Sequence, residues 1–402
     1  MHTENKISKS KNALLVLPSV FDGSNELNDL KAHFCGEILS ETSDIQNPKF
    51  KKRYVCGDLK ELKNLSFEID VIKVLSFNYE HLNTINLIDL GKVPYSVHDV
   101  GVYFKNLFGD GDYFKAIQTE HVFQELTESN KPSKALRKGI YLTEVSKDET
   151  ASHGEVLRFN LLRCSSNLTG PSDNFRKTDH HILHTLNNAV QCTFEKEIQL
   201  NHVLAQIYEN KKTDNGKETK ARISAHSDKT KDMPKAGLIA FCTFYNNTQF
   251  EHLQPSEADK HDWVYKEQSG LTRLLFKLKK TVEDDSLVKE FSVTLYPNSA
   301  FIIPLSTNRW YTHEIRPSVL NMNKIPTRMG YVVRCSNLEA IYKDHQVYIK
   351  EEGELLKLEP MTVETMEDLR STYLKENKTE DMITYKKIRF SMNSGDYKKP
   401  IY

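Results

Sequence analysis

The sequence has no unbroken apolar run long enough to span a bilayer, a task that takes about 20 residues; the early stretch ALLVLPSVF stops well short. The N-terminal MHTENKISKSKN is polar and has no small-residue cleavage site, so an intracellular, soluble chain with no membrane partner is expected. There is no excess of either charge. Lys plus Arg equals Asp plus Glu at 55 each, which leaves no global field to draw the chain onto nucleic acid or an anionic membrane, and any electropositive surface must be local. No C-x-x-C pair occurs among the six cysteines, so neither a disulfide framework nor a zinc site is indicated and reduced thiols are expected. Internal repeats are also missing.

What is present suits a folded, globular protein: 38% apolar residues, 27% charged, 18 Tyr and 19 Phe. A length of 402 residues allows one large domain or two smaller ones. Residues 13–110 alternate apolar runs such as FEIDVIKVLSF with helix-like stretches such as NELNDLKAHFCGEILSE, predicting an α/β extension over 1–110. Two supporting helices are predicted next. One runs over 112–129 with Phe114, Ile117, Val122, Phe123 and Leu126 on a face, and another opens at Asp179 as its N-cap and buries Ile182, Leu183, Leu186, Val190 and Phe194. The His180, His181 and His184 cluster in that second helix reads as one buried and two exposed side chains and not as a metal site.

From Asn201 the pattern changes to short β-branched and aromatic runs, HVLAQIY, GLIAFCTFY, TRLLFKL, FSVTLY, AFIIPL, RWYTHEI and RMGYVVR, separated by turn signals. They predict an α+β protein with a jelly-roll core over 111–337 and a C-terminal appendage, well solvated and partly helical, over 338–402. The polar segment 251–270 reads as an insertion forming a surface loop or a lid.

The chemistry concentrates in ARISAHSDKT. Positions i and i+2 of a strand share a face, so His226 and Asp228 can address one ion. His313, on a later strand, completes a two-His, one-carboxylate face that leaves three positions of an octahedral Fe(II) open. A lone His-x-Asp/Glu triplet is weak, since about two are expected by chance, and His153-Gly-Glu155 is another. Arg328, fifteen residues beyond His313, adds weight, because a dicarboxylate co-substrate needs a planar, always-charged partner. Arg334 lies six further on and shares its strand face.

These residues carry a resemblance. Asn201-His-Val-Leu204-Ala-Gln206-Ile-Tyr208 resembles the Asn-x-x-Leu-x-Asn-x-Tyr strand of the AlkB-like Fe(II)/2-oxoglutarate-dependent dioxygenases, with Gln206 in place of the Asn. His226-Ser-Asp228 matches that family's His-x-Asp, and Thr307-Asn308-Arg-Trp310-Tyr311-Thr-His313 resembles its Thr-Asn-x-x-Trp-Tyr-His block with one extra residue. The strand from Arg328 to Arg334 keeps both arginines of the family's Arg-x-Asn-x-Thr-x-Arg, but Gly330 and Val332 replace its Asn and Thr. The resemblance covers about a third of the chain. It implies a double-stranded β-helix; Fe(II) on His226, Asp228 and His313; 2-oxoglutarate held by Arg328, Tyr208 and Gln206 with Arg334 at its near end; and O2 as the second co-substrate.

The two departures leave the oxidised substrate unidentified. The large N-terminal region favours a small molecule or a protein side chain; nucleic-acid dealkylation is the alternative, and a non-catalytic binding module is a third. Arg222, Lys229, Lys231 and Lys235 flank the ligands as either a basic rim or ordinary solvated lysines. Trp310, Tyr311 and Tyr245 read as core packing more readily than as a stacking platform.

Overall fold

A computed structural model describes residues 4–63, 65–127, 134–149, 155–164, 168–212 and 214–402. His153 lies outside the described residues, so the second His-x-Glu triplet has no structural account. The protein is mostly strand with few helices. Eight strands form its centre: β1 (His202–Tyr208), β2 (Ile223–His226), β3 (Leu238–Tyr245), β4 (Arg273–Leu278), β5 (Glu290–Thr294), β6 (Ser299–Pro304), β7 (Tyr311–Arg316) and β8 (Arg328–Arg334). Five α-helices accompany them among the described residues: α1 (Asn25–His33), α2 (Tyr113–Glu120), α3 (Lys177–Thr193), α4 (Leu305–Trp310) and α5 (Val363–Lys378).

The eight strands divide between two antiparallel sheets. The larger contains β1, β8, β3 and β6 in that order, continued beyond β1 by Lys134–Thr143 and beyond β6 by Gly101–Phe104 and Tyr95–Val97. The smaller has the order β2, β7, β4, β5. Except at the β4–β5 hairpin, each consecutive strand crosses to the other sheet. Period-two alternation decides which side chain goes where. On β8, Met329, Tyr331 and Val333 enter the core against α2 and α3, while Arg328, Gly330, Val332 and Arg334 line the opposite, cavity side. On β3, Ala240, Cys242 and Phe244 pack toward the helices, whereas Ile239 and Phe241 meet Leu274, Phe276, Phe291 and Ile315 of the smaller sheet. Each such large side chain, when fully buried, contributes roughly 1.5–3 kcal/mol.

The helices differ from the sequence pattern at their ends. The helix expected over 112–129 stops at Glu120, Val122 is 87% exposed, and Gln124–Thr127 pairs as a strand with Lys134–Thr143. The cause is His121, whose imidazole is held between Asp173 (2.8 Å) and Asp179 (2.7 Å) with its backbone extended. Asp179 is the third residue of α3 and not its N-cap; its carboxylate accepts the Arg176 backbone N–H, one half of a capping box. His180, His181 and His184 are all exposed, so the one buried histidine expected among them is absent.

Residues 12–88 form a separate parallel sheet in the order Glu37–Leu39, Asn12–Val16, Lys52–Asp58, Ile69–Phe77, Ile85–Ile88. One of its faces, carrying Leu14, Tyr54 and Ile72, is continuous with the core between the two central sheets. Segment 251–270 folds into three short strands. Asp259 in it accepts hydrogen bonds from Tyr296 (2.9 Å) and Lys105 (3.2 Å), and none of its residues lines the cavity described below. Beyond β8, Leu338–Lys343, Gln346–Glu351 and Glu354–Lys357 join Leu157–Leu161 and Ser146–Lys147 in a further sheet. Helix α5 buries Leu369, Tyr373 and Glu376, so the C-terminal region packs onto the molecule and is not a purely solvated face. No described helix is long and apolar enough to cross a membrane.

Candidate metal and co-substrate site

β2 and β7 pair so that His226 and His313 stand directly opposite each other, their ring centroids 4.5 Å apart. Asp228 follows two residues after His226, where the strand has ended and a loop begins. Its carboxylate Oδ1 lies 3.5 Å from His226 Nε2 and 3.8 Å from His313 Nε2. One ligand atom from each of the three lies within 4.8 Å of the others, a spacing suited to a single ion. Tertiary contacts fix the loop. Asn308 of α4 accepts from the Asp228 N–H (2.8 Å) and donates to its carbonyl (2.9 Å); Ser227 donates to the Tyr311 carbonyl (3.0 Å).

The protonation states suit a metal. His226 Nδ1 donates to the Ser224 carbonyl at 2.9 Å, which orients the ring with Nε2 toward Asp228. Burial, together with the neighbouring His226 and Arg334, pulls the His313 imidazole down to about 3, so it is neutral. Its Nδ1 is buried without a partner among the described residues. Burial by itself would raise the Asp228 carboxyl, but the Arg334 guanidinium holds it well below the usual carboxylate range. Arg334 binds only Oδ2, through Nε (2.9 Å) and Nη2 (2.5 Å), and so leaves Oδ1 to the histidines. Its Nη1 has no partner among the described residues.

These residues open onto a cavity of about 1360 Å³. Arg328, 4% exposed, lies in it with its guanidinium 3.9 Å from the Tyr208 ring centroid and Nη2 unpartnered. Tyr208 also donates to Gln206 Oε1 at 3.3 Å. A buried cation with an unmet donor is costly unless an anion arrives. Gly330 has a local reason too: a Cβ there would stand 3.0 Å from Arg328 Nη1 and 3.2 Å from Tyr208, pressing on the stacked pair.

All seven residues singled out in the sequence, His226, Asp228, His313, Arg328, Arg334, Tyr208 and Gln206, therefore line one cavity. Of the flanking basic residues, Arg222 and Lys229 line it; Lys231 is buried against Asp232 (2.9 Å), and Lys235 is not in the lining. Tyr245 and Tyr311 are core residues whose hydroxyls donate to the Leu295 and Val288 carbonyls. Helix α5 is the part that sequence reasoning missed. Arg370, Tyr373, Leu374 and Asn377 line the cavity, and Asn377 accepts from the Ser227 N–H at 2.6 Å. Nothing in a charged, partly helical stretch signals that it will land on a loop 150 residues away.

No protein-family model and no curated protein matches the chain. Among solved structures, one described as "The structure of OsALKBH1" aligns with 58% of this chain and 97% of that one, at 11% identity and a TM-score of 0.33.

Proposed function

We propose that the chain is an Fe(II)- and 2-oxoglutarate-dependent dioxygenase of AlkB-like type, built on a double-stranded β-helix. The strand orders β1-β8-β3-β6 and β2-β7-β4-β5, with their alternating crossovers, support that architecture. The observation that carries the function is the joint presence, in one cavity, of the His226–Asp228–His313 cluster and the buried, unpartnered Arg328 nitrogen. The donor set suits Fe(II), and the guanidinium suits a carboxylate. When bound, iron and 2-oxoglutarate together activate O2 and supply the oxidising power for hydroxylating a substrate C–H.

The chain's own residues hold and orient. His226 and His313 offer imidazole lone pairs, and Asp228 offers Oδ1 while Arg334 keeps its other oxygen occupied. Arg328, steadied by Tyr208 and Gln206, receives the far carboxylate of the co-substrate. Arg334 Nη1 remains for the near one. Phe241 and Phe276, at 5.2 and 5.7 Å from the His313 ring, keep water from that side.

The oxidised group is on a small molecule or a protein side chain. AlkB-like nucleic-acid dealkylation is the second reading, favoured by the basic residues in the cavity wall; hydroxylation of an N-methyl carbon would there release formaldehyde. The test is anaerobic binding of Fe(II) and 2-oxoglutarate, then O2-dependent succinate release, in wild type and His226→Ala. Full turnover in the variant defeats the site assignment, and failure of the wild type to bind either component returns the chain to the class of binding modules.

A further inference from the structure

We propose that Lys229, Arg222 and Arg370 form a phosphate-binding subsite facing the metal cluster, which takes the phosphomonoester of a small-molecule substrate; this rests on the dioxygenase reading above. The first observation is the charge of the cavity wall. Its described lining holds eight Lys and Arg residues, and Asp228 is the one acid, in a chain whose charges otherwise cancel at 55 against 55. Some of these cations have assignments. Arg334 is tied to Asp228, Arg328 faces the co-substrate position, and Lys220 donates to the carbonyls of Ser318 (2.9 Å) and Leu320 (2.5 Å). The side chains of Lys229, Arg222 and Arg370 have no hydrogen bond or ion pair to any described residue, and metal and co-substrate binding leaves them unused.

The second observation is that the wall is built, not incidental. Arg370, Tyr373, Leu374 and Asn377 recur at helical spacing, so one face of α5 is turned to the cavity. The helix is pinned there from several sides. Asn377 accepts from Ser227 N–H (2.6 Å), Glu376 accepts from Thr230 N–H (3.1 Å), and Lys279 donates to the Glu376 carbonyl (2.8 Å). Buried Tyr373 in turn receives the Lys229 ammonium 4.3 Å above its ring, which orients that side chain along the wall. The cations thus come from two fixed elements, with Arg222 on the approach to β2.

Lys229, Arg222 and Arg370 together match a dianionic group, and guanidinium presents donors in the fork that phosphate accepts. A polymer would ask for more: phosphates beyond the cavity would need a basic stripe across the outer surface, and the balanced net charge adds no global attraction for one.

The test uses full-length protein loaded with Mn(II) and 2-oxoglutarate, titrated with phenyl phosphate, with phenol as uncharged control, and with oligothymidylates of two and ten nucleotides. Wild type should bind phenyl phosphate and not phenol. Arg370→Ala and Lys229→Gln should each weaken phenyl phosphate at least tenfold, Arg370→Lys should restore most of it, and Arg370→Ala should keep its Mn(II) and 2-oxoglutarate affinities. Equal phenyl phosphate binding in wild type and Arg370→Ala overturns the subsite. Binding that strengthens steeply from two to ten nucleotides overturns the small-molecule source in favour of nucleic acid. If Mn(II) and 2-oxoglutarate fail to bind while phenyl phosphate binding responds to Arg370→Ala, the dioxygenase reading falls and the anion site stands.

Discussion

Among the described residues, two clusters have the composition of a metal site: His226, Asp228 and His313 in the cavity, and Glu120, His121 and Asp179 beneath the large sheet. Both gather ligand atoms within 4.8 Å. They differ in what remains unsatisfied. In the second, His121 spends both ring nitrogens on Asp173 and Asp179, and Asp179 accepts further bonds from Tyr331 (2.7 Å) and the Arg176 backbone (2.7 Å). Although burial opposes the charge, the two carboxylates raise the His121 imidazole to about 9, so it is a cation closing its own ion pairs. In the first, His313 is neutral, Asp228 keeps Oδ1 for the imidazoles, and unpartnered nitrogens of Arg328 and Arg334 face the same space. Residue type brings a cluster together; spare coordinating capacity separates a ligand site from a structural one.

The sharpest way to break the comparison is to remove one histidine from each cluster. His226→Ala should weaken Mn(II) binding by calorimetry by roughly 100-fold or more, beyond the 10–100-fold typical of outer partners, whereas His121→Ala should leave the metal stoichiometry unchanged. Stability should respond the other way. His121→Ala strands two buried carboxylates and should cost on the order of 3 kcal/mol in denaturant unfolding, while His226→Ala should cost little.

Arg328→Met extends the contrast, since a guanidinium without an internal partner is held for a ligand. It should weaken 2-oxoglutarate by roughly 30-fold or more, as expected for a truncated charge pair, with no loss of melting temperature. Parallel losses of both would make Arg328 a structural residue. Asn377→Ala should have a smaller effect, roughly a tenfold loss of metal affinity, because it acts by orienting the ligand loop.

The smallest expected effect is on pH. A folded-state value near 9 for His121, above its ordinary 6.5, means that its contribution is complete below pH 6.5 and is lost as pH rises through 9. The melting temperature should therefore fall by a few degrees over that window, and His121→Gln should flatten the decline. An unchanged slope would show that the imidazole is not the titrating group.

Much of the central fold was legible because strand alternation is local. Every apolar run from HVLAQIY to RMGYVVR became a strand or contains one, although α4 took the first residues of the RWYTHEI region. Helix ends were less legible. His121 leaves the helical path because of carboxylates 52 and 58 residues further along, which no window around residue 121 contains. The same limit hid the role of Asn308, whose side chain brackets Asp228 across 80 residues, and the packing of helix α5, whose charged sequence reads as a solvated appendage.

By itself the sequence determined the donor types and their order along the chain: a histidine and an aspartate two apart, a later histidine, then two arginines on a shared strand face. That much follows from the period of a strand and the chemistry of each side chain. Only the tertiary structure decided which donors stay unsatisfied, that α5 with Arg370 and Tyr373 walls the cavity, and that His121 is a sealed ion pair. Those are questions of burial and of partners distant in the chain, and local periodicity carries no information about them.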